Sequence, residues 1–142
     1  MSAGYSGTPL ARKLGIKQDH RVATVGAPTH FPALLDPLPE GATVEADPDG
    51  DGPYPVVVVF IPEASVLEDR FRRGQELMDP HGGLWLSWPK QSSALATELR
   101  ESHIREHGLA TGLVDNKICA VDADWSGLRF VVRTEDRPPR TA

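Results

Sequence analysis

Trp88-Pro89-Lys90-Gln91-Ser92-Ser93 brings a flat apolar ring, a full positive charge and two hydroxyls into one short stretch. Those groups suit a phosphate or a carboxylate: Lys90 supplies the charge, Ser92 and Ser93 the hydrogen bonds, and Trp88 one wall. The preceding Gly82-Gly83-Leu84-Trp85-Leu86-Ser87 reads as a turn and then a short apolar strand. Such a strand would deliver the cluster to its carboxyl end, where open parallel sheets bind ligands. Ser92 or Ser93 also reads as the cap of a following helix over 93–107. Its free N–H groups and positive dipole end would favour an anion. The plain alternative is an ordinary capped helix beside a core Trp85 and a solvated Lys90.

A second chemistry to test is dinucleotide or S-adenosylmethionine binding. It needs closely spaced glycines after the first strand, so that backbone can approach the ligand. Gly26-Ala27-Pro28-Thr29-His30 offers one glycine, and Pro28 removes a donor. An acid that could hold a ribose is present near the end of the second strand, at Glu45 or Asp47. Gly26 and Asp47 therefore carry half of the pattern.

Other constellations are weaker. Asp47-Pro48-Asp49-Gly50-Asp51-Gly52 opens like a calcium loop, but its twelfth position is Val58, where a bidentate Glu is required. It reads as an acidic turn. His103 and His107 stand four apart on a helix, a spacing that can share a metal, yet Ile104 replaces the Glu of the zincin pattern. They read as surface histidines near a helix carboxyl end, and no metal is expected. Cys119 has no paired Cys or adjacent His. Lys117 on the same strand face is its one candidate activator, so it reads as an inert thiol. No Gly-x-Ser-x-Gly elbow supports a hydrolase. Trp125 within Asp122-Ala123-Asp124-Trp125-Ser126-Gly127 would pack back over the sheet edge rather than anchor a partner. Ser6-Gly7-Thr8, with Arg12 and Lys13 close by, is a further candidate anion nest.

The elements that must position these groups follow from hydrophobic period and turn chemistry. Thr8 caps a helix that has Pro9 at its first position, Leu10 and Leu14 on one face, and Gly15 at its end. A strand over 20–26 follows, then a helix over 31–38 and a strand over 42–46. Val56-Val57-Val58-Val59-Phe60-Ile61 is apolar at every residue, as in a strand covered on both faces. An amphipathic helix spans 65–78 with Leu67, Phe71, Gly74 and Met78 as its stripe. A strand over 84–88 leads to the helix over 93–107, stopped by Gly108. Runs over 116–121 and 128–133 form a closing antiparallel hairpin.

This alternation predicts a three-layer, Rossmann-like α/β domain with a mostly parallel sheet and a C-terminal antiparallel hairpin. By analogy with a truncated class I methyltransferase sheet, the strand order is 2-1-3-4-6-5. Residues 1–134 read as one domain and 135–142 as a disordered tail.

The chain has 142 residues, a net charge of −5 and a single cysteine. No Lys/Arg block argues for nucleic-acid binding. A lone cysteine forms no internal disulfide and favours a reducing compartment. The first residues lack the apolar core of a signal peptide, and the run from Val56 to Ile61 is too short to cross a bilayer. A cytoplasmic protein without membrane contact is expected.

Tyr5-Ser6-Gly7-Thr8-Pro9-Leu10, Lys13-Leu14-Gly15-Ile16, Leu84-Trp85-Leu86-Ser87-Trp88-Pro89-Lys90 and Gly112-Leu113-Val114-Asp115 resemble the actinobacterial domain-of-unknown-function family 3052. Lys117-Ile118-Cys119-Ala120-Val121-Asp122 and Trp125-Ser126-Gly127-Leu128 extend the resemblance over most of the chain. It implies a small stand-alone bacterial protein, and neither an activity nor site residues.

The reading that emerges is a non-catalytic binding or regulatory domain. Its small anionic ligand, or a protein partner, sits near Trp88, Lys90, Ser92 and Ser93. The alternative is a degenerate S-adenosylmethionine-dependent methyltransferase using Gly26 and Asp47. A homo-oligomeric module using the closing hairpin is a third class.

Overall fold

The computed structural model describes residues 8–140. Its framework is a six-stranded sheet. The elements in chain order are α1 (Leu10–Lys13), β1 (Arg21–Val25), α2 (Phe31–Leu34), β2 (Thr43–Ala46), β3 (Tyr54–Phe60), α3 (Leu67–Leu77), β4 (Met78–Pro89), α4 (Glu101–Ala110), β5 (Leu113–Ala120) and β6 (Trp125–Val132). The strands lie in the order β2-β1-β3-β4-β6-β5. Strands β1 to β4 pair in parallel, and β6 runs antiparallel to both β4 and β5. The expected Rossmann-like class and strand order both hold.

Side chains alternate across a strand, so the unbroken apolar run of β3 feeds two cores. Val57 and Val59 face one core with Leu84, Leu86, Trp88, Leu128 and Phe130, under Phe71 and Leu77 of α3 and Ile104 of α4. Val56, Val58 and Phe60 face the other with Trp85 and Trp125, under Leu14, Phe31 and Leu35. The Trp85 Nε1 donates to the Leu14 carbonyl at 3.0 Å, tying the segment after α1 to the sheet. Trp125 is buried and meets Phe60 edge-on at 5.1 Å, so it packs back onto the sheet as expected.

Several boundaries differ from the sequence reading. No helix starts at Ser93: residues 90–100 form consecutive turns, and α4 begins at Glu101. The stretch Ala94 to Arg100 has good helix formers, but two hydroxyls offer the backbone another arrangement. Ser93 Oγ accepts the Leu95 N–H at 2.9 Å, and Thr97 Oγ1 accepts the Leu99 N–H at 3.1 Å. Burial of Leu99 then holds this path in place. The helix opens instead where the Arg100 N–H donates to His103 Nδ1 at 2.9 Å.

Gly108 does not stop α4; it lies inside it, where a side chain would collide with the Phe130 ring. Gly82-Gly83 is not a turn. It lies within β4, which starts six residues earlier than its apolar core because the β3–β4 register shifts between Tyr54 and Val56. Pro9 occupies the cap position of α1, and Thr8 makes no side-chain capping bond. The second helix closes at Leu34, although Leu35 is buried beyond it. The third is a 3-10 turn over Ala64–Val66 that continues into α3, and Met78 already belongs to β4. No helix among the described residues is long and apolar enough to cross a membrane.

Candidate functional site

The carboxyl ends of β1 to β4 and the β5–β6 hairpin share one edge of the sheet. Strand order reverses direction at β1, whose neighbours are β2 and β3. The crevice outside such a switch point is where this architecture places ligands.

At the switch point, β1 runs into Gly26, whose φ of +64° is in the left-handed region that glycine tolerates. The Gly26 N–H donates to Asp47 Oδ1 at 2.9 Å, linking the ends of β1 and β2. Asp47 is exposed, with a φ of 45°, and its own N–H donates to the Thr24 carbonyl at 2.8 Å. Glu45 is committed elsewhere: Arg21 Nε meets it at 2.9 Å and the Tyr54 hydroxyl donates to it at 2.8 Å. Of the two acids considered for a ribose, Asp47 is the one at the crevice.

Arg70, from the first turns of α3, fills the space beside Gly26. A Cβ on Gly26 would meet the Arg70 guanidinium. The same guanidinium donates through Nη1 to the Phe60 carbonyl at the end of β3, at 2.7 Å. Arg70 has no carboxylate partner among the described residues. Sequence reasoning missed it; its signal was a basic residue in the helix that directly follows the central strand.

The other half of the edge gathers around Asp122 and Asp124. The Lys90 N–H donates to the Asp124 carbonyl at 2.8 Å, and Ser93 Oγ donates to Asp124 Oδ1 at 2.8 Å. His30 Nε2 lies 2.9 Å from Asp122 Oδ2. Asp122 Oδ1 also accepts the N–H groups of Asp124 and Trp125, at 2.8 and 2.9 Å. Burial works to raise the Asp122 carboxyl, but the His30 ring and those two N–H groups outweigh it, leaving it below the usual range. His30, Asp122 and Asp124 were not singled out as site residues from the sequence.

The structure therefore treats the candidate residues differently. Gly26 and Asp47 touch. Lys90 and Ser93 are joined through Asp124. Ser92 is exposed, and Trp88 is 4% exposed in the core on the α3–α4 face. The helix start expected at Ser92 and Ser93 is corrected: the helix begins at Glu101, and Ser93 donates to the Asp124 carboxylate.

Cys119 is half-buried, and burial raises its thiol pKa against the opposing pull of Lys13 and Lys90. Arg73 donates to the carbonyls of Pro48 and Gly50 at 2.7 and 2.8 Å, putting a guanidinium where a calcium loop would hold its ion. His103 is engaged at the start of α4, and His107 lies edge-on to Phe71 at 4.8 Å. No cluster of three or more His, Cys, Asp or Glu suited to a metal occurs among the described residues. Of the Ser6-Gly7-Thr8 nest, Ser6 and Gly7 lie outside the described residues.

No family model and no curated protein matches the sequence. Solved structures do match the fold. A SAM-dependent methyltransferase from Aquifex aeolicus aligns with a TM-score of 0.61 and 12% identity, over 85% of this chain and 86% of that one. A fibrillarin pre-rRNA processing protein from Methanococcus jannaschii aligns at 0.62 and 13%, over 89% and 74%. A TehB-like SAM-dependent methyltransferase from Corynebacterium glutamicum aligns at 0.55 and 9%, over 92% and 91%. The chain has the methyltransferase-type Rossmann-like fold. At these identities the likeness is one of fold alone.

The residues at the switch point fit one end of S-adenosylmethionine better than the other. Asp47 suits ribose hydroxyls. The turn that would cradle the methionyl end has one glycine and the Pro28 ring, and Arg70 lies against it. Brought to that turn, the methionyl sulfonium and ammonium would meet a like charge, and its carboxylate an opposite one.

Proposed function

We propose that this chain is a methyltransferase-like binding domain whose switch-point crevice takes a nucleoside bearing an anionic group. Asp47 receives the ribose hydroxyls, and Arg70 receives the anion. The observation that carries the reading is the placement of the Arg70 guanidinium beside Gly26, with no carboxylate to neutralise it among the described residues. A cation there suits a phosphate better than the methionyl end, whose carboxylate comes with an ammonium and a sulfonium. No reaction step is assigned to the site.

A second reading is a degenerate S-adenosylmethionine-dependent methyltransferase. The fold likeness supports it more directly than it supports a non-catalytic role, because two of the aligned structures are SAM-dependent methyltransferases. The His30–Asp122 pair at the same edge would be its proton acceptor.

Titration calorimetry with adenosine 5′-monophosphate and with S-adenosylmethionine separates the two readings. The Gly26 amide resonance reports binding at the crevice. Tighter binding of the nucleotide, weakened by both Arg70→Ala and Asp47→Asn, is expected. Tighter binding of S-adenosylmethionine, unaffected by Arg70→Ala, would replace the first reading with the second. A Gly26 resonance that responds to neither compound rejects both.

A further inference from the structure

The opposite edge of the sheet, at the amino ends of the parallel strands, holds a pocket of about 250 Å³. Its wall combines Lys17 and His20 from the approach to β1, Asp79 and His81 from the start of β4, Arg129 from β6 and Arg140 beyond it. Three full positive charges face one carboxylate. Asp79 already accepts the His81 N–H at 2.8 Å through Oδ1, which shapes the strand there.

Two features mark this pocket as built rather than incidental. The first is Arg129. Its guanidinium lies over Gly83, where any side chain would collide with it, so the second glycine of β4 makes room for the charge. Arg129 is half-buried, and its side-chain bond is a long one, 3.4 Å to Asn116 Oδ1. Among the described residues it has no carboxylate partner. A partly desolvated arginine without a counter-charge is costly unless something supplies one. Burial, and then repulsion from Arg137, push its pKa down.

The second is His81, whose Nε2 is buried without a hydrogen-bond partner among the described residues. Orphaned buried polar atoms of this kind are rare in folded proteins and call for a partner. His20 contributes a donor as well. Its Nδ1 accepts the Lys17 N–H at 3.1 Å, which leaves the proton of the neutral ring on Nε2.

We propose that this amino-edge pocket is a second ligand site, binding a dianionic phosphoryl group through Arg129 and Lys17, with the His81 ring turning its buried Nε2 toward the ligand. The excess of positive over negative charge matches a dianion better than a single carboxylate. The volume leaves room for a small organic group on the phosphate, so the preferred ligand is a phosphate monoester of a small metabolite. This site is independent of the switch-point crevice, from which the length of the sheet separates it.

The test is a titration of the full chain with inorganic phosphate and with glycerol 3-phosphate. Sodium chloride at matched ionic strength is the reference, and amide shifts are followed by NMR. Glycerol 3-phosphate carries no nucleoside, so its binding does not depend on a ribose contact at Asp47. Saturable binding is expected, with Kd on the order of 1 mM or tighter and shifts centred on His20, His81 and Gly82.

Arg129→Gln should weaken the affinity at least about tenfold, the loss of one charge-assisted pair. If that variant does not fold, exposed Lys17→Gln provides the second reading and should weaken binding about threefold. Tighter binding of the ester identifies a monoester ligand, and equal affinities identify free phosphate. Shifts centred on Gly26, equal responses to chloride and phosphate, or affinities unchanged in both variants would overturn the proposal.

Discussion

The Arg70 guanidinium lies against Gly26 while donating to the Phe60 carbonyl at 2.7 Å. Two neighbouring strand ends, β1 and β3, are thus bridged by one side chain from α3. The crevice that this fold ordinarily leaves open carries a built-in cation.

That relationship makes the cost of a side chain at position 26 separable into two parts. Gly26→Ala meets both a left-handed backbone and the Arg70 side chain. Arg70 is flexible and can withdraw, so the backbone term of about 1–2 kcal/mol dominates. Denaturant unfolding of Gly26→Ala, alone and with Arg70→Ala, should show nearly the same loss. A loss that vanishes in the double variant would mean that the Arg70 collision was the whole effect.

Gly108 tests packing against propensity. Replacing a glycine inside a helix by alanine normally stabilises by about 1 kcal/mol. Here the new methyl would strike Phe130, a fully buried ring packed edge-on to Phe71 at 5.5 Å. Overpacking of this kind costs about 1–3 kcal/mol. Gly108→Ala should therefore lower stability on balance, as a reduced urea midpoint. A raised midpoint would show that the ring moves freely.

The Asp122 carboxyl has a signed pH consequence. Folding holds it below the usual carboxylate range, so the unfolded chain takes up the proton first as the pH falls. Its contribution is complete above about pH 4 and is lost as the pH drops through the folded value. Asp122→Asn should flatten the fall in stability below that point and release the His30 ring from its 2.9 Å contact. Parallel acid profiles for the two proteins would show that the pair contributes nothing.

The acidic turn after β2 should be indifferent to calcium. Arg73 already bonds the Pro48 and Gly50 carbonyls, and its Nη1 lies 3.8 Å from Asp51. Millimolar calcium should leave the melting temperature unchanged. A calcium-dependent rise that disappears in Asp49→Ala would show that the loop releases Arg73 and binds the ion.

Much of the scaffold was legible in the chain. The unbroken apolar run ending at Ile61 read as a strand covered on both faces. The right-handed crossover rule then put helices on both faces of the sheet, and analogy with a methyltransferase-type sheet supplied the strand order. The Gly26 turn and the acid at Asp47 were readable as neighbours for the same reason, because parallel strands bring their carboxyl ends together. Local composition misled where side chains competed with the backbone. Ala94 to Arg100 has helix formers, yet Ser93 and Thr97 turn the chain and buried Leu99 fixes it.

Hydrophobic period and turn chemistry act over a few residues, and they determined the layers; the strand order came from analogy with a methyltransferase-type sheet. They carry no information on which charged side chains meet across the fold. The His30–Asp122 contact spans 92 positions, and Arg70 reaches Gly26 from a different strand–helix unit. Arg129 finds its space over Gly83 only once β6 lies against β4. Those partnerships arise when the sheet assembles and excludes water from particular charges. The tertiary structure alone therefore decided which cations stand without a counter-charge.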